Sequence, residues 1–224
     1  MKKNSLLLLI LLMLISRCIS KNVNKEVKIG EQVWMTNNLS VDKFRNGDLI
    51  YHAKTNYEWK RANDLKTPAW CYPENDSTNN LLYGKLYNWF AVNDVRGLAP
   101  NGWKIPSDED WSLLISFLGD SIAAEKKLKF DDLWRWHEGK TGAGTNESGF
   151  SALPAGNRSY DGVFYYFGFY AGWWSSTENL NHDSNILTDE KDAWRRDLKY
   201  NNNKVHKGSS DKEKGLSVRC VKVY

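Results

Sequence analysis

Cysteine, histidine and proline are scarce in this chain, at three, four and five residues of 224. The histidines, His52, His137, His182 and His206, are scattered, with no His-x-x-x-His pair and no Cys/His spacing suited to zinc. No Gly-x-Ser-x-Gly elbow is present, and no repeat recurs at solenoid or propeller spacing. The shortage of proline, set against 11 Trp and 11 Tyr, argues against a disordered chain. A strong charge of one sign is missing too. The sequence pI of about 8.8 owes much to the N-terminus. Without Lys2, Lys3 and Arg17, 28 basic side chains face 27 acidic ones, which gives no case for nucleic-acid binding.

Long hydrophobic runs are confined to the N-terminus. Met1-Lys2-Lys3 supplies a positive end, and Ser5 to Ser16 is almost wholly Leu and Ile. The run is short for a bilayer span and is placed as a secretory signal would be, so residues 1–17 are expected to be a signal peptide. Leu14-Ile15-Ser16-Arg17-Cys18 resembles a bacterial lipobox, in which the cysteine is lipidated, although Arg17 replaces the usual small residue. An acyl chain on Cys18 would anchor an exported domain to a membrane at the periplasmic face or the cell surface. Ordinary cleavage nearby and an uncleaved anchor are the alternatives. Residues 18–26 are polar and read as a tether, leaving 27–224 as one domain.

The rest of the chain has the composition of short strands and long loops, with aromatics for a core or a surface site. Val27 to Met35 alternates around Gly30 as a hairpin does, and Phe44 to Ile50 carries an Asn46-Gly47 turn. Asn56 to Leu65 fits a short helix ended by Thr67-Pro68, and Trp70-Cys71-Tyr72 a short strand. Pro73 to Asn80 is a polar loop. Its Glu74, Asn75 and Asp76 offer the oxygen donors of a possible Ca²⁺ site without EF-hand spacing, and a plain solvated loop is the alternative. Leu81 to Val92 reads as an amphipathic helix despite Gly84.

The segment from Asn101 to Trp111 joins an extended entry to a capped helix. Pro106 keeps Ile105 extended, Ser107 caps, and Asp110 stands where a capping-box acid would. Trp103, Pro106, Ser107 and Trp111 are therefore read as scaffold. The helix from Asp108 should bury Trp111, Leu114, Ile115 and Leu118 and close at Gly119, with another over Asp120 to Phe130. Gly139 to Gly149 is a glycine-rich loop without the context of a phosphate-binding loop. Beyond Phe150 the pattern is β-like. A hairpin is expected at Tyr160-Asp161-Gly162-Val163-Phe164, with strands over Ala171 to Thr177, Ala193 to Tyr200 and Leu216 to Val223, and a polar loop from Asn179 to Asp192. Cys71 and Cys220 either pair across a long loop or remain two buried thiols.

Four ordered motifs carry a resemblance. They are Gly102-Trp103-Lys104-Ile105-Pro106-Ser107-Asp108-Glu109-Asp110-Trp111, Gly149-Phe150-Ser151-Ala152-Leu153-Pro154-Ala155-Gly156-Asn157-Arg158, Trp173-Trp174-Ser175-Ser176-Thr177, and Gly215-Leu216-Ser217-Val218-Arg219-Cys220. With Ile29 to Met35, Asn37-Asn38-Leu39 and Tyr83 to Trp89 upstream, the sequence resembles the Fibrobacter succinogenes major paralogous domain family over residues 27 to 224. That family comprises chiefly exported and lipid-anchored bacterial proteins. Its Gly-Trp-x-x-Pro-Ser/Thr corner is similar to that of formylglycine-generating and other sulfatase-modifying domains. The resemblance therefore implies an α+β, C-type-lectin-like fold, with a twisted antiparallel sheet, flanking helices and long loops. It transfers fold, not chemistry. Family members commonly carry Cys-Pro before the corner where this chain has Ala99-Pro100; if that cysteine is the one that pairs with the terminal strand, the resemblance implies that Cys220 has lost its partner here and that Cys71 is free as well.

For function, the aromatic run is the most informative feature. Tyr160, Tyr165, Tyr166, Tyr170 and Trp174, with Arg158, are the candidate ligand contacts, since aromatic faces stack on sugar rings and polar neighbours bond hydroxyls. Core packing is the competing role for Trp173 and Trp174, whereas Tyr165 and Tyr166 are expected to be exposed. The expected function is an envelope-anchored, non-catalytic module that binds glycan or a surface protein, with no cofactor unless Ca²⁺. The alternatives are a structural or adhesive surface protein and a diverged sulfatase-modifying-type enzyme.

Overall fold

The computed structural model describes residues 26–131, 136, 144–180 and 192–223. The expected signal peptide, most of the tether and Cys18 lie outside the described residues, as do 139–143 and 181–191 of the two expected loops. None of the described helices is long and apolar enough to cross a membrane.

The architecture is α+β, with several small sheets and short helices. In chain order the strands are β1 (Glu26–Ile29), β2 (Gln32–Met35), β3 (Tyr51–His52), β4 (Ala69–Cys71), β5 (Leu86–Tyr87), β6 (Trp103–Lys104), β7 (Asn157–Arg158), β8 (Phe164–Tyr165), β9 (Tyr170–Glu178), β10 (Ala193–Lys199), β11 (His206–Ser210) and β12 (Val221–Lys222). The helices are α1 (Asn56–Asp64), α2 (Asn80–Tyr83), α3 (Trp89–Val92), α4 (Asp108–Phe117) and α5 (Ser121–Leu128). One sheet runs β1-β2-β12-β6 and another β11-β10-β9, and both are antiparallel. In a third, β3-β4-β5, β3 lies parallel to β4. The hairpin β7-β8 completes the set.

Strand alternation explains how two large cores form back to back. On β9, Tyr170 and Trp174 enter one apolar cluster while Ala171 and Trp173 enter the other. Near the C-terminus, Leu216, Val218 and Cys220 join the first cluster and Val221 the second. Successive side chains of an extended chain point to opposite faces, so segments buried on both sides carry an apolar or fully bonded residue at every position. Arg219 satisfies that demand on the second face. Its guanidinium donates to the Asn38 Oδ1 at 2.7 Å and to the Phe150 carbonyl, and lies 4.2 Å from the Phe150 ring centroid. Asn38 Oδ1 also accepts from the Trp173 indole at 2.9 Å.

The corner folds as its residues dictate. Trp103 on β6 pairs with Lys222, and Lys104 with Val221. Ser107 and Asp110 form a reciprocal capping box, with Asp110 N–H donating to Ser107 Oγ at 3.1 Å and Ser107 N–H to Asp110 Oδ2 at 2.8 Å. Trp111, Leu114 and Leu118 are buried, and Ile115 is half-buried. Trp111 lies 4.9 Å from Trp34 and 6.0 Å from Trp173, centroid to centroid, in a cluster that also holds Phe150. The far end of β9 is stitched to the corner by Ser176 N–H to the Pro106 carbonyl at 2.9 Å and Asp108 N–H to Thr177 Oγ1 at 3.0 Å. Asp108 in turn pairs with Arg196 at 2.7 Å and Lys207 at 2.8 Å.

Two expectations need correction, and one open alternative is decided. Leu81 to Val92 is not one helix: Gly84 breaks it at φ +69°, and Leu86–Tyr87 form β5 instead. A Cβ on Gly84 would stand 2.8 Å from the Leu39 carbonyl oxygen, so the close approach of another backbone overrides the helical period. Leu216 to Val223 narrows to β12, with only isolated bridges at Leu216 and Ser217, and β11 lies between the two expected strands, in a segment given no element from the sequence. Cys71 and Cys220 are both free and buried, in different apolar clusters.

Candidate functional site

The cleft that brings half of the candidate contacts together lies between the β7-β8 hairpin and β10. It encloses about 680 Å³ and is lined by Asn157 and Ser159, by Tyr165, Tyr166, Phe169, Tyr170 and Tyr200, and by Arg195, Lys199, Asn201 and Lys214. Its shape follows from local backbone chemistry. The hairpin turn closes through Ser159 N–H to the Val163 carbonyl at 2.8 Å and Gly162 N–H to the Ser159 carbonyl at 3.0 Å. The chain then turns back through Tyr166 to Tyr170, where the Tyr166 carbonyl accepts from Phe169 N–H at 2.9 Å and Tyr170 N–H at 3.0 Å. Gly156 lies against this turn. A Cβ there would meet the Tyr165 carbonyl oxygen at 2.7 Å and the Phe167 nitrogen at 2.9 Å.

Tyr166 occupies the left-handed region at φ +61°, a conformation that costs a non-glycine residue on the order of 1 kcal/mol or more. Its side chain is 65% exposed and that of Tyr165 44%, with ring centroids 6.0 Å apart and planes 40° apart. Two phenol rings are thus presented to solvent, Tyr165 at the end of β8 and Tyr166 at the start of a strained but firmly bonded turn. Phe169 and Tyr200 pack edge to face at 5.1 Å, and Tyr200 N–H donates to the Phe169 carbonyl at 2.9 Å, which joins the aromatic turn to the end of β10.

The rest of the charged lining is cationic. Arg195 is held in place, donating to Tyr170 Oη at 3.1 Å and Ser210 Oγ at 2.8 Å and pairing with the buried Asp197. His206 Nδ1 lies 3.2 Å from the same carboxylate. Burial raises the Tyr170 phenol above its ordinary pKa, with Arg195 opposing, so the phenol stays protonated at neutral pH. Lys214 is half-buried, and that burial, with Arg195 nearby, lowers its pKa against the opposing effect of Asp211 and Asp192. Among the described residues no carboxylate forms an ion pair with Lys199 or Lys214. No Asp, Glu, His or Cys belongs to the described lining.

Three of the six expected contacts, Tyr165, Tyr166 and Tyr170, line this cleft. Tyr170 does so largely buried, through its hydroxyl. Tyr160 is exposed on the neighbouring turn and is not part of the lining. Trp174 and Arg158 must be withdrawn as surface contacts, because both are fully buried. The Trp174 indole donates to the Tyr87 carbonyl at 2.9 Å. Arg158 donates to the Gly162 and Ala53 carbonyls at 2.9 and 2.8 Å and stacks over Trp59 and Phe164, tying the hairpin to the region of α1. The sequence reading missed Arg195, Lys199 and Lys214, and the period-2 pattern of β10 places the first two on one face as i and i+4.

At Glu74, Asn75 and Asp76 the chain forms tight turns. Asp76 Oδ1 accepts from Thr78 N–H and Oγ1, both at 2.8 Å, so the carboxylate serves as a local cap. No group of three or more His, Cys, Asp or Glu converges on a metal-sized site among the described residues. Burial pushes the Cys71 and Cys220 thiols up to about 12, leaving both as thiols at neutral pH.

In comparison with known proteins, residues 27–222 match the model of a family described as the Fibrobacter succinogenes major domain. No curated protein and no solved structure matches the chain.

Proposed function

The chain belongs to the Fibrobacter succinogenes major domain family, and from that premise we propose that it is a non-catalytic binding module, exported and anchored at the cell envelope through Cys18, that takes a saccharide in the tyrosine-lined cleft. The observation that carries this reading is the pair Tyr165 and Tyr166, exposed side by side where β8 ends and a turn fixed by hydrogen bonds begins. Rings held in this way lose little entropy when a sugar stacks on them, and the Asn201 amide and the Ser159 hydroxyl stand within the same lining to bond hydroxyls. A non-catalytic role is supported by the chemistry of the remaining groups. The thiols are buried and protonated, and the described lining offers no carboxylate pair for acid and base work.

In this reading the fold is C-type-lectin-like, as the capped Gly-Trp-x-x-Pro-Ser corner suggests, and the bound sugar needs no calcium. A polysaccharide array probed with the purified protein and with Y165A/Y166A tests the binding. Signal on at least one polysaccharide, lost in the double variant, is expected; silence across the array sinks the saccharide reading. Radiolabelled palmitate should enter the wild type and not Cys18→Ser, and equal labelling of both would refute the anchor.

A further inference from the structure

We propose that the saccharide taken by this cleft is anionic, its ring stacked on Tyr165 and Tyr166 and its carboxylate or sulfate held by Lys199 and Lys214. The inference rests on the saccharide reading above and adds the charge of the ligand. Three cations, Arg195, Lys199 and Lys214, stand in one lining that contains no described carboxylate. General basicity does not account for them, since the chain beyond Arg17 carries nearly equal numbers of basic and acidic residues.

The three are not equivalent. Arg195 has its own partners in Asp197, Tyr170 and Ser210, so it shapes the wall and is already neutralised in part. Lys199 is exposed and Lys214 half-buried, and neither has an ion-pair partner among the described residues. Asp192, one of the acids that act on Lys214 from a distance, accepts from Ser209 Oγ at 2.8 Å instead. A partly desolvated ammonium with Asp211 and Asp192 acting only from a distance, and no carboxylate in contact among the described residues, is unfavourable, and an incoming anion reduces that penalty. An anionic ring substituent reaching the lysines while the ring lies on the tyrosines would use the aromatic and the cationic residues of the lining together.

The test compares polygalacturonate with its fully methyl-esterified form, and dextran sulfate with dextran, by calorimetric titration of the full-length protein at low salt. The charged member of at least one pair should bind about tenfold or more tightly than its neutral counterpart, with affinity falling as salt rises. The double variant K199A/K214A should lose on the order of three- to tenfold toward the charged polymer, the size expected of two partly exposed ion pairs, and so narrow the preference for charged over neutral polymer. A preference for dextran sulfate alone identifies a sulfate ester as the anion; a preference for polygalacturonate alone identifies a carboxylate. Equal binding of charged and neutral polymers, both weakened by Tyr166→Ala, overturns the anionic inference and leaves the saccharide reading standing. Charged-polymer binding that is indifferent to K199A/K214A also overturns the inference. Absence of binding to all four polymers, and to every polysaccharide of the array, defeats both.

Discussion

The corner around Trp103 and the cleft around Tyr166 use aromatic residues in opposite ways. At the corner the indoles are spent on cohesion. Trp34, Trp111 and Trp173 are sealed in one cluster with Phe150, and Trp103 is nearly buried on β6. At the cleft, Tyr165 and Tyr166 contribute little to any core and hold their rings in solvent where β8 ends and a turn secured by backbone bonds begins. One nine-residue strand, β9, serves both regions, starting at Tyr170 in the cleft and passing Ser176 and Thr177 at the corner. Aromatic richness alone therefore says little about ligand binding; whether the ring is sealed in a core or held in solvent decides its use.

Substitutions should separate the two regions, the corner losing stability and the cleft losing binding. The largest loss is expected for Trp103→Ala, on the order of 3–5 kcal/mol in denaturant unfolding, because a buried indole is removed where relaxation is limited. A folded W103A protein with unchanged stability and weakened saccharide binding would reverse the assignment of corner and cleft. Arg219→Leu should cost about 3 kcal/mol, since it strands the Phe150 carbonyl and one side of Asn38 in the core. Equal stability of wild type and R219L would show that the buried polar node is dispensable.

A smaller effect should appear with pH at Asp108, which ties the corner to β10 and β11. Burial opposes its charge, but hydrogen bonds from Lys207 and Arg196 prevail and hold its pKa below the ordinary 3.8. A depressed carboxylate pKa stabilises the fold above the unfolded-state value, and the contribution disappears as pH falls through the folded-state value. Stability should therefore decline below about pH 4, and Asp108→Asn should flatten that decline while costing about 1–2 kcal/mol at neutral pH. A pH profile identical in D108N and wild type would contradict this. The smallest effect on stability belongs to the cleft. Tyr166→Gly should raise stability slightly, by up to about 1 kcal/mol, by relieving the left-handed backbone at φ +61°.

Much of the corner was legible in the sequence because its determinants are local. Pro106, Ser107 and Asp110 act within one turn, and the capping box forms as their spacing predicts. The hairpin around Gly30, α1, α5 and the long strand β9 were legible for the same reason. Gly84 was harder to read, because what excludes a side chain there is the Leu39 backbone, distant in sequence. Among the candidate contacts, Arg158 and Trp174 carry the right chemistry, yet each is drawn inward by carbonyls that tertiary structure alone supplies, those of Ala53 and Tyr87. Lys214 could not be assigned to the cleft from sequence, since it lies far along the chain from the tyrosines and reaches them through the return of the C-terminal segment, where Gly215 N–H donates to the Arg158 carbonyl at 2.7 Å.

The central claim, that the tyrosine turn binds while the tryptophan corner supports, is tested most directly by titrating Tyr166→Ala with the polysaccharide that the wild type binds, alongside its thermal unfolding. The account predicts affinity reduced about tenfold or more, a loss near 1.4 kcal/mol, with an unfolding midpoint within a few degrees of the wild type. Full-strength binding by a normally folded Y166A protein would contradict it.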